Sequence, residues 1–219
     1  MAATIISRVI GLLYRSPLGE TIGNEGLGYY STASNLYTIL LLISSYSIPM
    51  AVSKIVSERL ALKEYRNAHR VFHGALLYAV IVGGVAALVA FFGGKFLLPY
   101  NQQNALLALR VLAPTIFFSA VLGVLRGYFQ AHSTMMPTSI SQIIEQVFNA
   151  AFSIGAAWFF IQQFATNDTE HAKFGAAGGT LGTGAGVLAG LCFMVIVYGV
   201  NRKTCLLYTS PSPRDPKTS

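Results

Sequence analysis

Six long stretches of this chain carry no ionised side chain, and that property restricts what it can become. No Asp, Glu, Lys or Arg occurs in residues 26–53, 74–94, 111–125, 127–144, 146–167 or 174–201. A helix rising 1.5 Å per residue needs about 20 mostly apolar residues to cross a bilayer. The pattern predicts six spans, at about 1–17, 28–53, 74–98, 105–125, 138–164 and 175–200. The first is the shortest and holds two arginines. Charged residues make up only 11% of the 219, against roughly 25% in a soluble domain. A soluble domain, a disordered chain and a disulfide scaffold are thereby excluded. The alternating segments of about ten residues that mark a membrane β-barrel are absent. The predicted fold class is all-α: an integral membrane helical bundle of six transmembrane helices.

The polar connections supply the orientation. Residues 54–73 (KIVSERLALKEYRNAHRVFH) form a basic amphipathic stretch, expected to lie as a helix along the interface. Lys54, Arg59, Lys63, Arg66, Arg70, Arg126, Arg202 and Lys203 fall to one side of the membrane, and Lys95 and Lys173 to the other. Eight against two places the N-terminus and residues 54–73 in the cytoplasm. From Thr204 the composition breaks, and CLLYTSPSPRD resembles translated sequencing-adapter read-through. Residues 1–203 are therefore expected to form the helical unit, and 204–219 a non-native or disordered tail.

Polar groups inside the spans point to function. A charge at the bilayer centre costs about 2.5–3.5 kcal/mol on insertion scales and usually faces a bundle interior or wet cavity. Arg8 and Arg15 are seven apart, two helical turns, and share a face. An anion-facing role competes with the simpler reading that Arg15 snorkels outward. In the fifth span Thr138, Ser141, Gln142, Glu145, Asn149 and Ser153 follow helical spacing and make one polar stripe. Ser and Thr alone could serve as packing glue; a Glu beside Gln and Asn favours a water-filled cavity. Glu145 is either a proton carrier or the counter-charge of an arginine. The second span carries Ser31, Ser34, Asn35, Thr38 and Ser45, then Pro49, which is either a hinge inside the span or a marker of its end. Gly178, Gly182, Gly186 and Gly190 recur every four residues in the sixth span and give a smooth helix-packing ridge.

No chemistry-bearing motif accompanies these groups. The sequence lacks GxxxxGK[ST], HExxH, paired aspartates for a magnesium diphosphate, and His or Cys at metal-ligating spacing. The expectation is a protein that is not an enzyme, with no cofactor and no metal, drawing energy from an ion gradient or the membrane potential.

Several ordered motifs carry a family resemblance. Ser7-Arg8-Val9-Ile10-Gly11-Leu12-Leu13-Tyr14-Arg15 is followed by Glu25-Gly26-Leu27-Gly28 and Tyr30, then by Ile48-Pro49-Met50-Ala51-Val52-Ser53-Lys54. Arg126-Gly127-Tyr128-Phe129-Gln130, Ser141-Gln142-Ile143-Ile144-Glu145-Gln146 and the Gly-rich sixth span come next. Over residues 4–203 the chain resembles the polysaccharide-transporter, stage V sporulation protein B-like family. That family lies in the multidrug/oligosaccharidyl-lipid/polysaccharide exporter superfamily and is related to the MurJ flippases. The resemblance implies one lobe of a two-lobed transporter in the bacterial cytoplasmic membrane, moving undecaprenyl-diphosphate-linked glycans by alternating access. It implies that Arg8 and Arg15 engage the diphosphate; the polar stripes of the second and fifth spans add Asn35, Gln142, Glu145 and Asn149 as further cavity candidates. The implied partners are the lipid bilayer, a lipid-linked glycan diphosphate and a C-terminal lobe missing from this chain, with no nucleic acid. On this reading the chain is an N-terminal fragment, inactive alone. The rival readings are a cation-coupled multidrug exporter of the same superfamily, and a membrane scaffold or glycan transferase.

Overall fold

The computed structural model describes the backbone of residues 2–44, 47–132 and 134–208, and the side chains of 5, 9–44, 47–132 and 134–200. The helices are α1 (Ala2–Leu13), α2 (Arg15–Ser44), α3 (Ile48–Ala61), α4 (Tyr65–Leu97), α5 (Leu106–Ala131), α6 (Met136–Phe164) and α7 (Asp168–Tyr208). A 3-10 turn, Tyr100–Ala105, precedes α5, and no strand occurs among the described residues. The chain is an all-α membrane-type bundle.

Among the described residues five helical stretches are long and apolar enough to cross a membrane, against the six expected. The first, Val9–Ala61, is 53 residues long, far more than the roughly 20 that one crossing requires. It is not straight. Between α1 and α2 the ladder persists, since Tyr14 N–H reaches the Ile10 carbonyl at 3.2 Å and Leu18 N–H reaches Tyr14 at 3.1 Å. The nominal break there follows from Pro17, which has no N–H to offer Leu13. The real bend is at Gly23, whose φ of 73° and ψ of 172° lie in a region open essentially to glycine. Tyr14 and Tyr30 are 16 residues apart yet their hydroxyls meet at 2.9 Å. A straight helix would hold those Cα atoms about 24 Å apart, so the chain turns back at Gly23. The hinge separates helical residues 2–22 from 24–44, which correspond to the first two expected spans.

The basic stretch 54–73 differs from its expectation as one interfacial helix. It is divided between the end of α3 and the first turns of α4, with an elbow at 62–64. Lys63 occupies the left-handed region there, with φ 59°, which ends α3. Glu64 secures the elbow by accepting from Asn67 Nδ2 at 2.9 Å and Arg59 Nη1 at 3.1 Å. The Asn67 bond first, then Arg59, holds its carboxyl below the usual range. α7 runs on to Tyr208, past the expected boundary at 204, because no helix-breaking residue intervenes before Pro211. The expectation for 209–219 lies outside the described residues.

Large apolar side chains cover the outside of the bundle as well as its core, unlike in a soluble protein. Leu77, Leu88, Phe92 and Phe96 of α4, Phe152 and Phe159 of α6, and Ile196 of α7 are exposed. Ser141, Asn149, Ser153 and Thr180 are buried. Hydrocarbon solvates the first set at no cost, while the second satisfies its hydrogen bonds inside the bundle. The central contact is α6 on α7, through the glycine ridge. A Cβ on Gly178 would stand 2.6 Å from the Ala157 backbone, and Gly182 and Gly186 lie equally tight against Ser153 and Glu145. Gly190 faces the Ser141 carbonyl and the Arg126 guanidinium.

Candidate functional site

Helical periodicity puts one polar face of α6 beneath the bend of α2, and a cavity of about 590 Å³ opens there. That is within the span of ordinary small-molecule sites, roughly 300–1,000 Å³. The α6 wall is Gln142, Glu145, Gln146 and Asn149. Facing it, α2 contributes Arg15, Tyr30, Ser34, Tyr37 and Thr38. Gly11 and Leu12 of α1, Tyr14, Leu112 and Arg126 of α5, and Thr183 of α7 complete it.

The cavity is strung with hydrogen bonds linking its helices. Asn149 Oδ1 accepts from Ser153 Oγ at 2.9 Å and from Thr183 Oγ1 at 3.4 Å, while its Nδ2 reaches Tyr14 Oη at 3.4 Å. Tyr14 and Tyr30 share a bond, and Tyr37 pairs with Ser119 of α5 at 2.9 Å. Arg126 Nη2 donates to Glu145 Oε2 at 2.7 Å, and its Nε to Ser141 Oγ at 3.0 Å. Ser141 passes its own proton to the Thr138 carbonyl at 2.8 Å. The chain is charge-assisted at one end and closed on backbone at the other.

The structure brings Arg15, Gln142, Glu145 and Asn149 to one cavity. Asn35 is exposed and outside its lining. Tyr30, Ser34, Tyr37 and Thr38 share the inward face at i, i+4, i+7 and i+8, and Asn35 is one 100° step away. The Arg8 side chain lies outside the described residues. Pro49 sits in the first turn of α3, where its missing N–H is harmless, and it packs on Gly123 and Gly127 of α5. Pro114 lies inside α5. Gly178, Gly182, Gly186 and Gly190 all face α6.

Arg126, counted with the charges of the cytoplasmic side, also lines the cavity, a role that sequence reasoning did not give it. A signal was present: Arg126 and Glu145 are the only ionised residues between 111 and 167. Two lone opposite charges in apolar surroundings demand a partner, and each is the other's.

The chain is 23% identical over 219 aligned positions to "Lipid II flippase MurJ" of Bacillus subtilis (strain 168), covering 95% of the chain and 39% of that protein. It is 28% identical over 204 positions to "Stage V sporulation protein B" of the same organism, covering 90% and 37%. A third relative, "Uncharacterized membrane protein YabM", is 24% identical over 193 positions, covering 88% and 35%. The chain thus spans under two-fifths of the length of these curated relatives. No solved structure matches. The model for the family described as "Polysaccharide biosynthesis protein" matches residues 1–206, and the chain, a multi-pass helical bundle around a polar cavity, belongs to that family.

Proposed function

We propose that this chain forms one lobe of a flippase for prenyl-diphosphate-linked glycans, its cavity holding the headgroup while the prenyl tail stays in lipid. The observation that carries the reading is Arg15. It lines the cavity, and among the described residues it forms no ion pair. A cation without a carboxylate, beside hydroxyls and carboxamides, fits a phosphoryl group and sugar hydroxyls. The relative named as a lipid II flippase supports the same ligand class. A cation-coupled drug exporter fits less well, because Arg15 and Arg126 outnumber the single carboxylate of Glu145 in the lining. On this reading the chain binds and moves its ligand without making or breaking bonds. The N-terminus and the elbow at 62–64 face the bacterial cytoplasm.

Binding and movement separate in the test. The purified chain in detergent is titrated with a prenyl diphosphoryl sugar, wild type against Arg15→Gln. Loss of one charge-assisted contact predicts about tenfold weaker binding; an unchanged Kd removes Arg15 and the reading with it. In proteoliposomes the chain alone binds but does not flip the labelled ligand, since alternating access needs a second bundle to rock against. Measured flipping by the chain alone overturns the one-lobe proposal and leaves the binding site standing.

A further inference from the structure

The cavity holds three ionised side chains among the described residues: Arg15, Arg126 and Glu145. Glu145 already occupies Arg126 at 2.7 Å, the two side chains being 21% and 17% exposed. Among the described residues the site therefore offers one free positive charge and a second that is taken. A phosphodiester carries one negative charge, which Arg15 balances with the bridge closed. A diphosphate diester carries two, and among the described side chains the second is balanced when Arg126 leaves Glu145. The exchange is like for like, because the guanidinium fork matches carboxylate and phosphate oxygens alike. Ser141 holds Arg126 Nε at 3.0 Å, so the guanidinium keeps its aim after the carboxylate departs. Glu145 stays in the wet cavity, whose wall it shares with Gln142 and Gln146, both able to donate amide hydrogens to it.

Resting on the reading of this cavity as a phosphoryl site, we propose that Glu145 is an internal competitor for Arg126 and sets the charge class of the ligand. A doubly anionic diphosphate opens the Arg126–Glu145 bridge; a singly anionic phosphodiester leaves it shut. Because Arg126 belongs to α5 and both Glu145 and Ser141 to α6, the right headgroup removes one of the two side-chain links that Arg126 makes between these helices and leaves the Ser141 bond in place.

The test titrates the purified chain in detergent with a prenyl monophosphoryl sugar and a prenyl diphosphoryl sugar, followed by native mass spectrometry. Wild type, Glu145→Gln and the double variant Arg126→Gln/Glu145→Gln are compared, with thermal unfolding as the check on folding. Removing the competitor tightens diphosphate binding about tenfold and changes monophosphate binding less than about threefold. The double variant, which has the net charge of the wild-type cavity, loses that gain. An equal shift for both ligands reduces Glu145 to a general field and overturns the inference. Weaker diphosphate binding in Glu145→Gln also overturns it, by making Glu145 a support for Arg126. Infrared difference spectra of the wild type decide independently of any variant. A carboxylate band shifts with the diphosphate and not with the monophosphate; the same response to both is fatal. A wild type that binds neither ligand defeats the proposed function as well, whereas an Arg15→Gln loss with no effect of Glu145→Gln defeats this inference alone.

Discussion

Lys63 shows how one backbone torsion shapes a surface. Its φ of 59° is unfavourable for a side chain with a Cβ, by about 1 kcal/mol, and the Glu64 contacts with Arg59 and Asn67 hold the elbow around it. Lys63→Gly is expected to raise stability by about 0.5–1 kcal/mol, seen as a higher melting temperature in detergent. A lower melting temperature would show that Lys63 contributes more through its side chain than its backbone costs. At the same scale, the fifth-span stripe was legible because an i, i+3, i+4 pattern is local to one helix. Asn35 was not separable from Ser34 and Thr38 by spacing alone, since the stripe's inward edge depends on what packs against α2. The pairing of Arg126 with Glu145 joins residues 19 apart on two helices, and no single-helix pattern contains it.

Among the elements, α6 and α7 make the tightest seam, because glycines every four residues let the α7 backbone close on α6. Gly178→Ala forces a methyl to within 2.6 Å of the Ala157 backbone, and backbone cannot rotate aside. The expected cost is about 1–3 kcal/mol, measured by unfolding in detergent. Gly199→Ala in the same helix meets nothing within 4 Å, so it should be neutral or gain up to about 1 kcal/mol of helix propensity. Equal losses from both substitutions would mean that helix propensity, not close approach, governs this ridge. The four-residue glycine spacing announced a packing face, but not that α6 was its partner. Pro49 illustrates the converse: proline in an apolar run reads as a kink, and its harmless place in the first turn of α3 is visible only where the chain breaks before Ile48.

For the whole molecule, α4 is the simplest ruler. Its 33 residues extend about 50 Å, beyond the roughly 30 Å hydrocarbon core, long enough to put its two ends on opposite sides of the membrane. With Cys192 and Cys205 replaced by Ser, Lys63→Cys is expected to react with an impermeant thiol reagent only from the cytoplasmic side. Tyr100→Cys should react only from the other side. Labelling of both from one side would defeat the membrane-spanning arrangement of α4, and reversed labelling would invert the proposed orientation. Hydropathy and charge placement determined by themselves that this chain is a helical membrane bundle with polar groups at depth. The cost of dehydrating a backbone or a charge depends on composition and run length, which any stretch of sequence carries. Only the tertiary structure decided that Gly23 folds the first long helix back, that Arg126 belongs to the cavity, and that Arg15 has no carboxylate partner among the described residues. Each of those is a meeting between distant segments, and such meetings are set by how helices pack.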